Sequence, residues 1–186
     1  QQIIHPTYYQ TGRLDEALRH SGRDSSTVLL RKNWRCTREL VELQNMYSDL
    51  RNKEESLSAE ERQPAIASGG SGARAVWIES TAENEDKLLK IGKKHMMRVL
   101  YHKSAPDESG TGLELLKNKG MEFSLALAWK VMEDSEEGWR TIDLDKGRRS
   151  QGERSRLCYA MNYFYVAITR ARENLLILES SAAKGA

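Results

Sequence analysis

Short, unbroken apolar runs recur between helix-patterned stretches, and this constrains the chain more than any other feature. STVLLRKNW (26–34, with Val28-Leu29-Leu30 as its buried run), RAVWIES (74–80), MRVLYHK (97–103), LELL (113–116), FSLALAWKVM (123–132) and NLLILE (174–179) each read as strands. Continuous rather than alternating apolar character marks strands covered on both faces. Between them, TRELVELQNMYSDL (37–50) sets Leu40, Leu43, Met46, Tyr47 and Leu50 at helical spacing, with Thr37 as an N-cap. ENEDKLLKIGKKHM (83–96) is acidic at its start and basic at its end, the polarity that suits a helix macrodipole. GERSRLCYAMNYFYVAITRARE (152–173) reads as a long helix, and Leu14–Arg19 as a short one. The alternation predicts an α/β fold with a mainly parallel sheet and helices on both faces, a three-layer α/β/α arrangement.

The punctuation bounds the domain. RNKEESLSAEERQP (51–64) is charged and reads as solvated chain, and ASGGSGA (67–73) as a flexible loop that resembles an engineered linker as much as a natural turn. SAPDESGTG (104–112) is a breaker-rich loop, EDSEEG (133–138) an exposed acidic one, and 181–186 a loose tail. Residues 1–180 are expected to form one domain with a real core; apolar content is 39% and charged content 30%, as in globular proteins. No run approaches the roughly 18 apolar residues of a spanning helix. QQIIHPTYY lacks the charged and apolar regions of a secretory leader and has no initiator Met, so the expectation is an intracellular piece of a longer protein. Cys36 and Cys158 have no C-x-x-C spacing, and His5, His20, His95 and His102 form no i,i+3 or i,i+4 pair; free thiols and no zinc site follow. A net charge of +2 leaves nucleic-acid binding to a local cluster.

Chemistry-bearing residues collect in three segments, NWRCTREL (33–40), KGMEF (119–123) and YVAITRARENLLIL (165–178). Ligands of open α/β sheets gather at the carboxyl ends of strands. Arg35 stands after one such strand, Glu122 in the turn after LELL, and Arg170 near the end of the long helix. Arginine gives forked contacts to phosphate, and two arginines can neutralise charge on a transferring phosphoryl group. Taken singly, each has a plainer reading: Arg170 a surface cation, Glu122 an exposed turn residue, Lys119-Gly120 a common Gly turn. Trp34, Trp77 and Trp129 read as packing residues, as does the Tyr159/Tyr163/Phe164 group, while Tyr8 and Tyr9 can stack on bases.

In order along the chain, these segments resemble motifs IV (N-Y-R-S-T), V (K-G-L-E-F) and VI (Y-V-A-x-T-R-A) of UvrD/Rep-type superfamily 1 helicases. The opening QQIIHP is similar to the tail of motif III, G-D-x-x-Q-x-I. The resemblance implies a RecA-like fold and places this chain as the second, C-terminal RecA-like domain. It implies an ATP site shared with an N-terminal RecA-like domain of the same parent, which supplies the phosphate-binding loop and holds Mg²⁺, and a 3′ to 5′ single-stranded DNA translocase as the whole. Arg35 and Arg170 would then reach the γ-phosphate, Gln2 would sense it, Glu122 would bind the ribose hydroxyl, and Gly120 would lie in the nucleotide-binding turn. Tyr8, Asn33 and Lys119 would meet DNA.

The chain departs from that pattern in places. No G-x-x-x-x-G-K-[ST] occurs among its 186 residues, so the chain alone is expected not to hydrolyse ATP. Glu114 and Leu116 stand where the family carries Thr and His, Cys36 stands where it carries Ser, and the accessory insertion is missing near 104–112. The alternative is a helicase-like nucleic-acid-binding or scaffolding module without catalysis. An ATP-dependent nuclease subunit would need a nuclease domain, and nothing here resembles one.

Overall fold

The structure, a computed structural model, describes residues 20, 32–55, 66–67, 72, 74–106, 112–115, 117, 120–143 and 146–181. Its elements are β1 (Lys32–Asn33), α1 (Arg38–Glu55), β2 (Ile66–Ala67), β3 (Arg74–Glu79), α2 (Ala82–Lys94), β4 (Arg98–Tyr101), β5 (Gly112–Glu114), β6 (Phe123–Trp129), α3 (Glu136–Trp139), α4 (Gln151–Ile168) and β7 (Ala171–Glu179). Five strands form one sheet in the order β3-β7-β6-β4-β5, and every neighbouring pair is parallel. β1 and β2 form a separate parallel pair.

The pleat explains the layers. Along β6, Ala126 and Ala128 join one apolar cluster while Leu127 and Trp129 join the other; along β7, Leu175 and Ile177 oppose Leu178. The first cluster packs against α1, α3 and α4 through Leu40, Tyr47, Trp139, Leu157, Met161 and Phe164. The second packs against α2 through Leu88. A sheet with both faces covered needs apolar residues on both, which is why its strands read as unbroken runs. The fold is therefore α/β, three-layered and parallel, consistent with a RecA-like domain.

Local chemistry sets the helix ends. Thr81 caps α2 by accepting from the Asn84 amide at 3.2 Å. Ser150 and Glu153 close a reciprocal capping box at the start of α4.

Several boundaries differ from the sequence reading. Helix α1 runs on to Glu55, into the segment expected to be solvated loop. Arg51 is buried there, 4.5 Å from the Tyr165 ring centroid and donating to Asn162 Oδ1 at 3.4 Å, and Glu54 pairs with buried Arg149. Ile66–Ala67, expected at the edge of the flexible stretch, pairs with β1 instead. Helix α4 stops at Ile168 and β7 begins at Ala171, where the sequence predicted helix through 173. Pairing with β6 takes over: the Phe123 amide donates to Arg170 O at 2.8 Å, and Phe123 is in register with Ala171. β6 ends at Trp129 rather than Met132, because Lys130 turns the chain with φ +50°. The acidic stretch 133–138 is not a loop; it makes a 3-10 turn and α3, with Gly138 and Trp139 buried. The expected helix at 14–19, the residues of the first expected strand before Lys32 and the tail beyond 181 lie outside the described residues.

Gly138 is where α3 meets α4. A Cβ there would lie 2.5 Å from Arg156 O and 2.7 Å from Ala160 Cβ. Backbone cannot yield as a flexible side chain does. Gly138→Ala is expected to lower unfolding free energy by about 2–3 kcal/mol, read as a shifted urea midpoint at unchanged slope.

Candidate nucleotide-binding site

The turn between β1 and α1 is built on Asn33. Its Oδ1 accepts the amides of Arg35 at 2.9 Å and Cys36 at 3.0 Å, an Asx-type turn. The Thr37 amide then donates to Arg172 O at 3.0 Å, which ties the start of α1 to the start of β7. Buried Cys36 reinforces the joint with its Sγ 3.6 Å from Ala171 O. The turn leaves the Arg35 side chain 64% exposed.

Arg35 Nη1 donates to Glu122 Oε1. Glu122 stands just before β6, and Arg170 lies in the two-residue turn between α4 and β7. Arg170 is 2% exposed, and its Nη1 donates to Met121 O at 3.1 Å. Burial pushes its pKa down and the Glu122 carboxylate pulls it back up; a guanidinium stays charged through shifts of this kind. The Glu122 carboxylate thus pairs with one guanidinium, exposed, and lies within electrostatic reach of a second that is held in the fold. Buried Gln44 steadies the second by donating to Ile168 O at 3.3 Å.

Three of the residues singled out from the sequence, Arg35, Glu122 and Arg170, therefore come together. Gly120 sits in the adjoining turn with φ +83° and, among the described residues, no atom within 4 Å of where a Cβ would stand. Its conformation favours glycine. Asn33 spends its carboxamide oxygen on the turn. Gln2, Tyr8 and Lys119 lie outside the described residues. Glu114 is half-buried and pairs with exposed Lys117 at 2.8 Å.

Two expectations are corrected. The cluster gathers at the amino ends of β6 and β7, not at carboxyl ends of the main sheet; Arg35 alone follows a strand's carboxyl end, that of β1. Trp34, expected to pack, is 71% exposed beside Arg35, with Lys32 Nζ 5.7 Å from its ring centroid. Trp129 is buried and Trp77 half-buried, as expected. An exposed indole next to a guanidinium offers a flat face for a base beside a charge for its phosphates. Nothing in the sequence separates Trp34 from the other tryptophans except its adjacency to Arg35. Met121, 47% exposed, forms a second apolar shoulder next to Glu122.

Among the described residues no group of three or more His, Cys, Asp or Glu side chains is placed to hold a metal ion. No described helix is long and apolar enough to cross a membrane. What the cluster offers chemically is anion recognition by two arginines, with a carboxylate able to accept from a hydroxyl. Set against models of known protein families and against curated protein sequences, the chain matches none of them.

Proposed function

We propose that this chain is the second RecA-like lobe of a UvrD/Rep-type superfamily 1 DNA helicase, giving arginines to an ATP site completed by another lobe. The observation that carries this reading is the meeting of Arg35, Glu122 and Arg170. They come from three segments, the first two 87 residues apart, which stand in the order of motifs IV, V and VI. In this reading Arg170 and Arg35 bind the γ-phosphate, Glu122 turns to the ribose hydroxyl, and Gly120 lets the chain pass close to the nucleotide. Mg²⁺, held by the other lobe, would neutralise charge on the phosphates. Arg35 is the movable part: its exchange of Glu122 for a phosphate couples nucleotide arrival to closure of the two lobes, and closure and opening in turn move the lobes along single-stranded DNA.

Glu114 gives the alternative, a helicase-like nucleic-acid-binding or scaffolding module without turnover, some weight. A carboxylate paired with Lys117 stands where the family has Thr. Salt-dependent binding of a single-stranded oligonucleotide without nucleotide would favour that module.

Amide NMR of the chain titrated with ATP and Mg²⁺ tests the site directly. Shift changes are expected at residues 34–37, 120–123 and 169–172, with weak, roughly millimolar affinity because the phosphate cradle is lacking. Arg35→Ala should abolish them. Changes confined to the opposite end of the sheet, or none at all, would refute the assignment.

A further inference from the structure

We propose that the cleft at the carboxyl end of α2 is a docking site for an acidic, apolar-anchored peptide segment of a partner protein. The cleft has a volume of about 240 Å³ and lies between the last turn of α2 and the start of β4. Leu89, Met97 and Val99 line its walls, and Gly92 contributes no side chain to its floor.

Met96 is the telling residue. Helix α2 ends in a Schellman-type turn: the His95 amide donates to Ile91 O and the Met97 amide to Gly92 O, both at 3.0 Å. That turn puts Met96 at φ +52°, the left-handed position that glycine normally fills. Yet Met96 is 84% exposed. The side chain strains the backbone and contributes almost no burial in return. Backbone strain kept without a folding benefit points to a use at the surface. Methionine is the side chain best able to mould itself to a peptide.

Charge selects the occupant. From Asp86 to Asp107 the sequence carries Lys87, Lys90, Lys93, Lys94, Arg98 and Lys103 and no carboxylate. Lys87 and Lys90 pair with Glu83 and Asp86 of their own helix. Lys93 and Arg98 line the cleft itself, and exposed Lys94 follows them in the sequence. A phosphodiester backbone would meet the cations and leave Met96 in water, and among the described residues no aromatic ring lines the cleft on which a base could stack. An amphipathic segment with Asp or Glu around an apolar anchor satisfies both. The surface is independent of the nucleotide cluster, so the two readings stand or fall separately.

The test is fluorescence polarisation of the whole chain with three labelled helical peptides. They share apolar residues at i, i+3 and i+4 and carry Glu, Gln or Lys elsewhere. The Glu peptide is expected to bind tightest, at roughly 10–100 μM, and to weaken with salt. Met96→Gly should weaken it about tenfold, roughly the loss of one buried side-chain contact, while raising Tm by about 2–4 °C through relief of the left-handed strain. Arg98→Glu should weaken the Glu peptide and spare the Lys peptide. Binding that ignores peptide charge or survives Met96→Gly overturns the proposal, as does no binding by any peptide. So does a lowered Tm for Met96→Gly, which would mean that the side chain serves the fold. A single-stranded oligonucleotide or an anionic lipid vesicle that displaces the Glu peptide and binds more tightly reassigns the surface and also overturns it.

Discussion

On the proposed reading, Arg170→Ala, made in a protein that joins this chain to a phosphate-binding lobe, is expected to lower single-turnover ATP hydrolysis about 10³-fold and to change nucleotide affinity far less. The expectation rests on how the side chain is held. Arg170 is 2% exposed, and its fork is aimed by the contact to Met121 O at 3.1 Å. A charge fixed before the reaction needs no reorganisation when negative charge builds on the phosphoryl group, and the effect of such charges falls on the barrier more than on binding. The same burial makes the variant a structural risk, because Met121 O loses a donor, worth about 1–3 kcal/mol. Arg170→Lys separates the two effects. It keeps a cation and loses the fork, so turnover should fall partway while Tm recovers. Full turnover in a folded Arg170→Ala protein would remove this arginine from the chemistry. Arg35→Ala, at a 64% exposed side chain in an ion pair open to solvent, should leave stability nearly unchanged; its effect on turnover then reads directly on nucleotide contact.

The parallel sheet was legible because the part of a strand covered on both faces must be apolar, and the runs 125–129 of β6 and 175–178 of β7 are. The border between α4 and β7 was not. Thr169 to Glu173 continues a good helical pattern, since Arg, Ala and Glu are all strong helix formers. Only the partner strand reveals that the backbone of Arg170 and Ala171 bonds to β6. The charged stretch after Leu50 was misread for a related reason. Arg51 and Glu54 owe their order to Asn162, Tyr165 and Arg149, residues remote in sequence that no local window contains. At the site, motif order picked out Arg35, Glu122 and Arg170, but the pairing of Arg35 with Glu122 and the contact of Arg170 with the neighbouring Met121 O are properties of the fold. The exposure of Trp34 and the left-handed backbone of Met96 left no sequence trace, because the same residue types are commonest in cores.

Stability is expected to fall as pH rises from about 5 to 8, and Glu179 is the main cause. Its side chain is fully buried at the carboxyl end of β7, where the carboxylate accepts the amides of Met132 at 2.8 Å and Glu133 at 3.1 Å. Those amides favour the ionised form, but burial outweighs them and the Glu133 carboxylate adds to it, so the pKa is pushed up from 4.5 to about 7. Lys130, whose amide donates to Leu178 O at 2.9 Å beside it, has its ammonium engaged by Glu85 at 2.8 Å instead. A carboxyl whose folded-state pKa lies above its unfolded value binds its proton more tightly in the native state. Its stabilising contribution is whole below about pH 4.5 and is lost as pH rises through about 7; the loss amounts to about 3 kcal/mol at most. His102 works in the opposite sense. Burial lowers its pKa, so it costs stability as pH falls, and the raw profile of the protein is flatter than that of Glu179 alone. Subtracting a variant cancels the histidine. Glu179→Gln keeps an oxygen for one of the two amides and cannot ionise. Urea unfolding of both proteins at pH 5, 6.5 and 8 should therefore show a difference that changes with pH, the wild type losing ground as pH rises. Glu133→Gln, which removes the neighbouring like charge, should move that step to lower pH. A wild-type-minus-variant difference that stays constant across this range would mean that Glu179 is ionised throughout and that its two amide bonds outweigh its burial.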